Sequence, residues 1–163
     1  MKLFVFALII ASFFSGCTEM KPYNCDEPIY LSFDKLRSDY PAIKKPKKIG
    51  KAGKIYVYGD ILLINEKNKG IHVVDNRVKE TPIRKYFIEI PGNIDIAVKD
   101  GYLYADSFTD LVVLDIRDID HIKLVDRKEE IFPYDIQQAL NDKTIINHLC
   151  SRDESRGFII GYK

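Results

Sequence analysis

From Lys54 to Arg127 the chain alternates short apolar runs of Ile, Val, Leu and Tyr with Gly, Asp or Asn punctuation, the pattern of strands joined by tight turns. Strands are expected near Lys54–Tyr58, Ile61–Glu66, Ile71–Asp75 and Ile83–Ile90, and again near Ile94–Val98, Tyr102–Asp106, Leu111–Asp115 and Ile122–Arg127. Tyr56 and Tyr58 alternate with Ile55 and Val57, as Tyr102 and Tyr104 do with Leu103 and Ala105, which assigns aromatic and aliphatic side chains to opposite sheet faces. The unbroken run Ile61-Leu62-Leu63-Ile64 fits a strand covered on both sides. Two short helical segments are also expected. One runs from Ser32, a capping residue, towards Pro41, and the other covers Tyr134–Leu140.

The strand series is periodic. Asp60, Leu63, Val73 and Asp75 meet Asp100, Leu103, Val113 and Asp115 at an offset of 40, and Glu66, Ile71 and Val74 meet Asp106, Leu111 and Leu114 without a gap. A third copy is suggested after an insertion at Pro133–Asn141, where Arg156-Gly157-Phe158-Ile159-Ile160 resembles Lys69-Gly70-Ile71-His72-Val73. Four strands in such a period are the spacing of β-propeller blades, which must stack on one another to remove both sheet faces from water. The expected fold is therefore all-β and propeller-like: blades at 54–93 and 94–132 and a partial blade at 133–163, with no fourth strand in the last unit.

The N-terminus changes the picture. Lys2 precedes an apolar run from Leu3 to Phe14, the layout of a secretory signal and shorter than the roughly 20 residues of a membrane-spanning helix. Phe14-Ser15-Gly16-Cys17 resembles the bacterial lipobox, with Phe14 in place of the usual leucine. The expectation is cleavage of residues 1–16, acylation of Cys17 with palmitate among its chains, and membrane attachment in the cell envelope through that lipid. Thr18 is not the aspartate associated with inner-membrane retention in some bacteria, which favours the outer membrane. Residues 17–30 are then a lipidated, flexible tether, and 31–53 a helical turn followed by a basic connector with Pro46, Gly50 and Gly53. The lysines of that connector are expected to be solvated, the alternative being contact with anionic headgroups.

Removing residues 1–16 takes one base from 25 basic and 24 acidic residues, so the remainder is formally neutral, which argues against a nucleic-acid partner. Cys25 and Cys150 make no disulfide framework. Cys150, beside Leu149, is expected as a buried free thiol and Cys25 as incidental to the tether, although an exported protein can keep a disulfide.

Several strings resemble one family. Ile71-His72-Val73-Val74-Asp75 and Leu111-Val112-Val113-Leu114-Asp115 are similar to the repeat that names the bacterial LVIVD-repeat proteins. Gly53-Lys54-Ile55-Tyr56-Val57, the stretch Asn65–His72, Pro91-Gly92-Asn93-Ile94-Asp95-Ile96-Ala97 and Tyr102–Ser107 resemble the opening repeats of its lipoprotein members. The resemblance runs from about Leu31 to Tyr162. It implies secreted or lipid-anchored propeller-like proteins with surface or envelope roles and no established activity. Propellers close with four to eight blades, so two blades and part of a third imply a truncated portion of a longer protein, an open stack, or self-association of an incomplete propeller.

Catalytic patterns are sparse. His72, His121 and His148 lack the spacing of a helical zinc site, and neither a Gly-x-Ser-x-Gly elbow nor a phosphate-binding glycine loop is present. Asp106–Asp110 lacks the spacing of a calcium loop, and Asp75 and Asp115, at equivalent strand ends, are expected to accept turn amides. Asp95 and Asp106 are the candidate ligand or ion contacts; no metal, cofactor or catalytic residue is assigned. The reading is a non-enzymatic envelope lipoprotein that binds a protein or a glycan or acts as a scaffold, the alternative being an inactive fragment of a larger propeller enzyme of hydrolase type.

Overall fold

The computed structural model describes residues 25–140 and 149–163. The signal segment, the lipobox with Cys17, the first part of the tether and His148 lie outside the described residues. The chain order is β1 (Pro28–Leu31), α1 (Phe33–Asp39), β2 (Ala42–Lys44), β3 (Ala52–Tyr58), β4 (Ile61–Glu66), β5 (Gly70–Asp75), β6 (Ile83–Glu89), β7 (Ile96–Lys99), β8 (Tyr102–Ser107), β9 (Asp110–Asp115), β10 (Lys123–Lys128), α2 (Ile136–Leu140) and β11 (Phe158–Tyr162). The fold is all-β, built of antiparallel sheets. β3 to β6 form one meander, extended at its edge by β2, and β7 to β10 form a second. The α1 helix starts as expected, with the Ser32 hydroxyl accepting from the Lys35 amide.

Tight turns set the register. Tyr58 pairs with Ile61 around Gly59-Asp60, and Lys99 pairs with Tyr102 around Asp100-Gly101. Positive φ at Gly59 (56°), Asp100 (51°) and Gly101 (79°) is what two-residue hairpins require, and Gly and Asp supply it with little strain. Between β4 and β5 the loop has three residues, 67–69, whereas between β8 and β9 it has two, 108–109. That extra residue corrects the gapless offset of 40. The offset holds from β5 to β9 but is 41 from β3 and β4 to β7 and β8, so Leu103 matches Leu62 rather than Leu63, and Asp106 matches Asn65 rather than Glu66.

The main core lies between the two sheets. Leu63, Ile71, Val73 and Ile88 of the first pack with Ile96, Leu103, Ala105, Val112 and Leu114 of the second, all nearly or fully buried. The two sheets use opposite faces. Val112 and Leu114 sit in β9 where His72 and Val74 sit in β5, yet Ile71 and Val73 are the β5 residues at the contact. The sheets are thus stacked front to back, in one sense. Tyr56 and Tyr58 pack against this core from β3, the Tyr56 hydroxyl donating to the Val98 carbonyl at 3.1 Å.

A smaller unit joins the two ends of the described chain. β1 pairs antiparallel with β11, Glu27 and Lys163 exchange backbone hydrogen bonds, and Cys25 and Cys150 form a disulfide. Leu31, Leu36 and Phe158 form its core, and the Phe108 ring stacks on Phe158 at 4.4 Å, fixing the unit to the β8–β9 turn. Three features of this unit differ from what the sequence predicts. Among the described residues Phe158–Tyr162 pairs with β1 alone, in a two-stranded sheet, and is not the third strand of a partial blade. The tether does not reach residue 30, because Pro28–Leu31 is a strand. Cys150 is not a free thiol and Cys25 is not incidental, since strand pairing between distant segments brings the two together.

Candidate functional site

Among the described residues, an open groove of about 640 Å³ lies on the outward face of the second sheet. Its floor is Ala97, Tyr104 and Leu111, and Phe132 and Pro133 form one wall. Strand alternation explains the floor, because Ile96, Leu103, Ala105 and Val112 turn inward to the core and their neighbours turn out. The wall is held by the Phe132 amide, which donates to the Thr109 carbonyl at 2.9 Å.

The groove brings together Asp95 and Asp106, the two carboxylates singled out from sequence, with Lys54, Asp135 and Gln138 on the same rim. Their surroundings differ. Asp106 accepts from the Ile94 and Asp95 amides and from Asn93 Nδ2, each at 2.9 Å, so its lone pairs hold the 93–95 loop in place. Burial raises its pKa, against the opposing pull of those hydrogen bonds. Asp95 is exposed, accepts from Lys54 Nζ at 2.8 Å and from the Ile96 amide at 2.7 Å, and the Lys54 bond lowers its pKa. Asp106 shapes the groove, and Asp95 offers charge at its edge.

Asn93 and its partner Asn65, both fully buried, are central to this architecture and were not singled out from sequence. Asn93 is fully buried and links the sheets: its Nδ2 donates to the Asp95 and Asp106 carbonyls, and its Oδ1 accepts from Asn65 Nδ2 of the first sheet. The signal for it was the turn string Pro91-Gly92-Asn93, where a short amide side chain can bond nearby backbone.

Outside the groove, several ionised groups are tied into structure. Glu66 is nearly enclosed, with Lys69 Nζ at 2.8 Å, His72 Nε2 at 2.9 Å and Lys47 Nζ at 3.5 Å. Burial alone would raise its pKa, but those partners outweigh it and hold the carboxyl at about 2. Lys47 also lies 3.6 Å from the centre of the Phe87 ring, so the basic connector folds over the first sheet instead of being simply solvated. Asp110 is buried between Arg37 of α1 and Arg127 of β10, and they, with the Glu130 amide, keep its pKa low despite burial. Asp75 and Asp115 each accept the amide two residues on and the fork of Arg77 or Arg117, which draws both carboxyls to about 2.

Among the described residues no group of three or more His, Cys, Asp or Glu side chains is placed to hold a metal ion, and no helix is long and apolar enough to cross a membrane. The groove has an aromatic and apolar floor with a mixed, mainly acidic rim. The chain matches no family model, no curated protein and no solved structure.

Proposed function

We propose that the chain is a lipid-anchored envelope protein of the LVIVD-repeat type, in which the two stacked four-stranded sheets act as propeller-like blades and the open groove binds a protein or a glycan. The observation that carries this reading is the groove itself. Tyr104 and Leu111 lie on a strand pair rather than on loops, half open to solvent, with a fixed carboxylate beside them and an exposed one at the edge. Rigid aromatic and aliphatic side chains bordered by polar groups are the makeup of binding surfaces that lose little entropy on contact. Acylation at Cys17 would keep this surface near a membrane, and the Cys25–Cys150 disulfide suits an exported protein.

The test uses the full chain in the membranes of a bacterial host. A photo-cross-linking amino acid at Ala97, an exposed position on the groove floor, is expected to give a discrete adduct with a protein or a glycan. Absence of any discrete adduct refutes the binding reading. Replacing Cys17 with Ala is expected to abolish incorporation of labelled palmitate, and unchanged labelling refutes the anchor.

A further inference from the structure

The front-to-back stacking leaves two outward faces that are complementary rather than alike. By hairpin register, Ile55, Val57, Leu62 and Ile64 on the outer face of the first sheet match Ile96, Val98, Leu103 and Ala105 of the second, which are packed at the internal contact. Ile55 and Val57 nevertheless stand 57% and 64% exposed. In the same register Ala97 and Tyr104, on the groove floor, match Tyr56 and Leu63, which pack inward from the first sheet. One end of the stack therefore carries a copy of the face that the other end lacks.

Charge follows the same rule. Across the internal contact Lys54 bonds to Asp95 at 2.8 Å. Lys54 precedes Ile55 as Asp95 precedes Ile96, so each occupies the other's position in its own sheet. Laying the groove of one molecule on the outer face of the first sheet of another would set Asp95 against the second molecule's Lys54. It would also set Ala97 against Val57, as Tyr56 meets Val98 internally. At the outer edge the roles of Tyr86 and Asp120, bonded at 2.9 Å, pass to Asp126 and Glu80, which are like charges. The contact therefore belongs to the inner strands β3, β4, β7 and β8.

From this geometry we infer that the partner of the groove is a second copy of this chain, docked head to tail through the outer face of its first sheet. The inference rests on the groove being a binding surface and names its occupant. A head-to-tail contact of this kind generates a ring when its rotation closes. With two sheets from each molecule, the four to eight blades of ordinary propellers correspond to about two to four copies.

The same cross-linker at Ala97, in the full chain in membranes, is expected to give an adduct of twice the chain's mass whose linked peptide lies within residues 55–64 of the second copy. A cross-linker at Val57 is expected to map to β7 or β8. Val57→Glu places a charge on a surface that is exposed in the single molecule but covered in the assembly, and should reduce the Ala97 adduct by about tenfold or more. Val78→Glu, at a turn position that is 56% exposed and on neither face, should leave it unchanged. An adduct with another protein or a glycan, or a doubled mass mapping elsewhere, overturns the second copy while leaving the groove a binding surface. No adduct at all overturns both.

Discussion

Replacing Glu66 with Gln removes a charge that three cationic or hydrogen-bonding partners surround while conserving shape. The Glu66 side chain is 4% exposed, and its carboxyl is held at about 2 against an ordinary 4.5. At 1.36 kcal/mol per pKa unit that depression corresponds to about 3 kcal/mol of folding stability at neutral pH, an upper bound because Lys47 and Lys69 are themselves partly in water. The direction of the pH effect follows from the lowered folded-state value. The contribution is complete above the unfolded pKa of 4.5 and is lost as the pH falls towards about 2. Asp75 and Asp115, also held at about 2, lose their contributions in the same window, but they are common to both proteins and cancel in the difference. Urea unfolding followed by tyrosine fluorescence, in a chain with ten Tyr and no Trp, reads that difference directly. Glu66→Gln should be less stable by about 2–3 kcal/mol at pH 7, and the gap should close towards pH 2. A gap below about 0.5 kcal/mol at pH 7, or one undiminished at pH 2.5, would refute the argument that the paired charge stabilises the fold.

Other perturbations test other parts of the fold. Replacing Cys25 and Cys150 together with Ser opens a bridge spanning 125 residues and should cost on the order of 3–5 kcal/mol in denaturant unfolding, with the oxidised and reduced wild type differing by a similar amount. Leu103→Ala empties a fully buried position at the contact between the sheets and should cost roughly 2–5 kcal/mol, seen as a lowered urea midpoint. Asp110→Asn leaves Arg37 and Arg127 facing a neutral group in a buried setting, and a loss of about 3–5 kcal/mol is expected by the same measurement.

The strands were legible because period-two alternation and Gly, Asp and Asn punctuation survive any tertiary context, and observed and expected boundaries agree closely from Ile61 to Asp115. Register was less legible. Identities at positions 60 and 100 and at 63 and 103 suggested a gapless match, but the turn at 67–69 carries one more residue than the turn at 108–109, and identity alone does not locate a one-residue slip. Which face packs was not legible at all. β4 and β5 have apolar residues on both sides, so only the assembled sheets select Leu63 and Val73 over Leu62 and Val74. The disulfide was missed for a related reason: Leu149 made Cys150 look like a core thiol, while the pairing depends on β11 finding β1 across most of the chain. Asp95 was singled out because Ile55, not a carboxylate, stands opposite it at the offset of 40, and Asp106 because its match there is the glutamate Glu66 and not an aspartate. Their meeting in one groove comes from the loop at Asn93, which no periodicity predicts.

The covering segments decide which parts of the outer faces remain open. On the first sheet, the connector after β2 lies over β5 and β6, where Lys47 caps Phe87 and joins Glu66 and His72. His72 and Phe87 are buried as a result, while Ile55 and Val57 on β3 are left to solvent. On the second sheet, Phe132 and Pro133 wall one side of the groove, and Asn68 fixes the following helix by donating to the Gln138 carbonyl at 2.9 Å, leaving Ala97 and Tyr104 accessible. Exposed aliphatic faces of this kind carry a cost in water that a charged connector could have removed by extending one strand further. Instead each cover stops short of the innermost strands, where Lys54 and Asp95 exchange places between the sheets. That placement makes the open strips a single complementary pair rather than two unrelated gaps in packing.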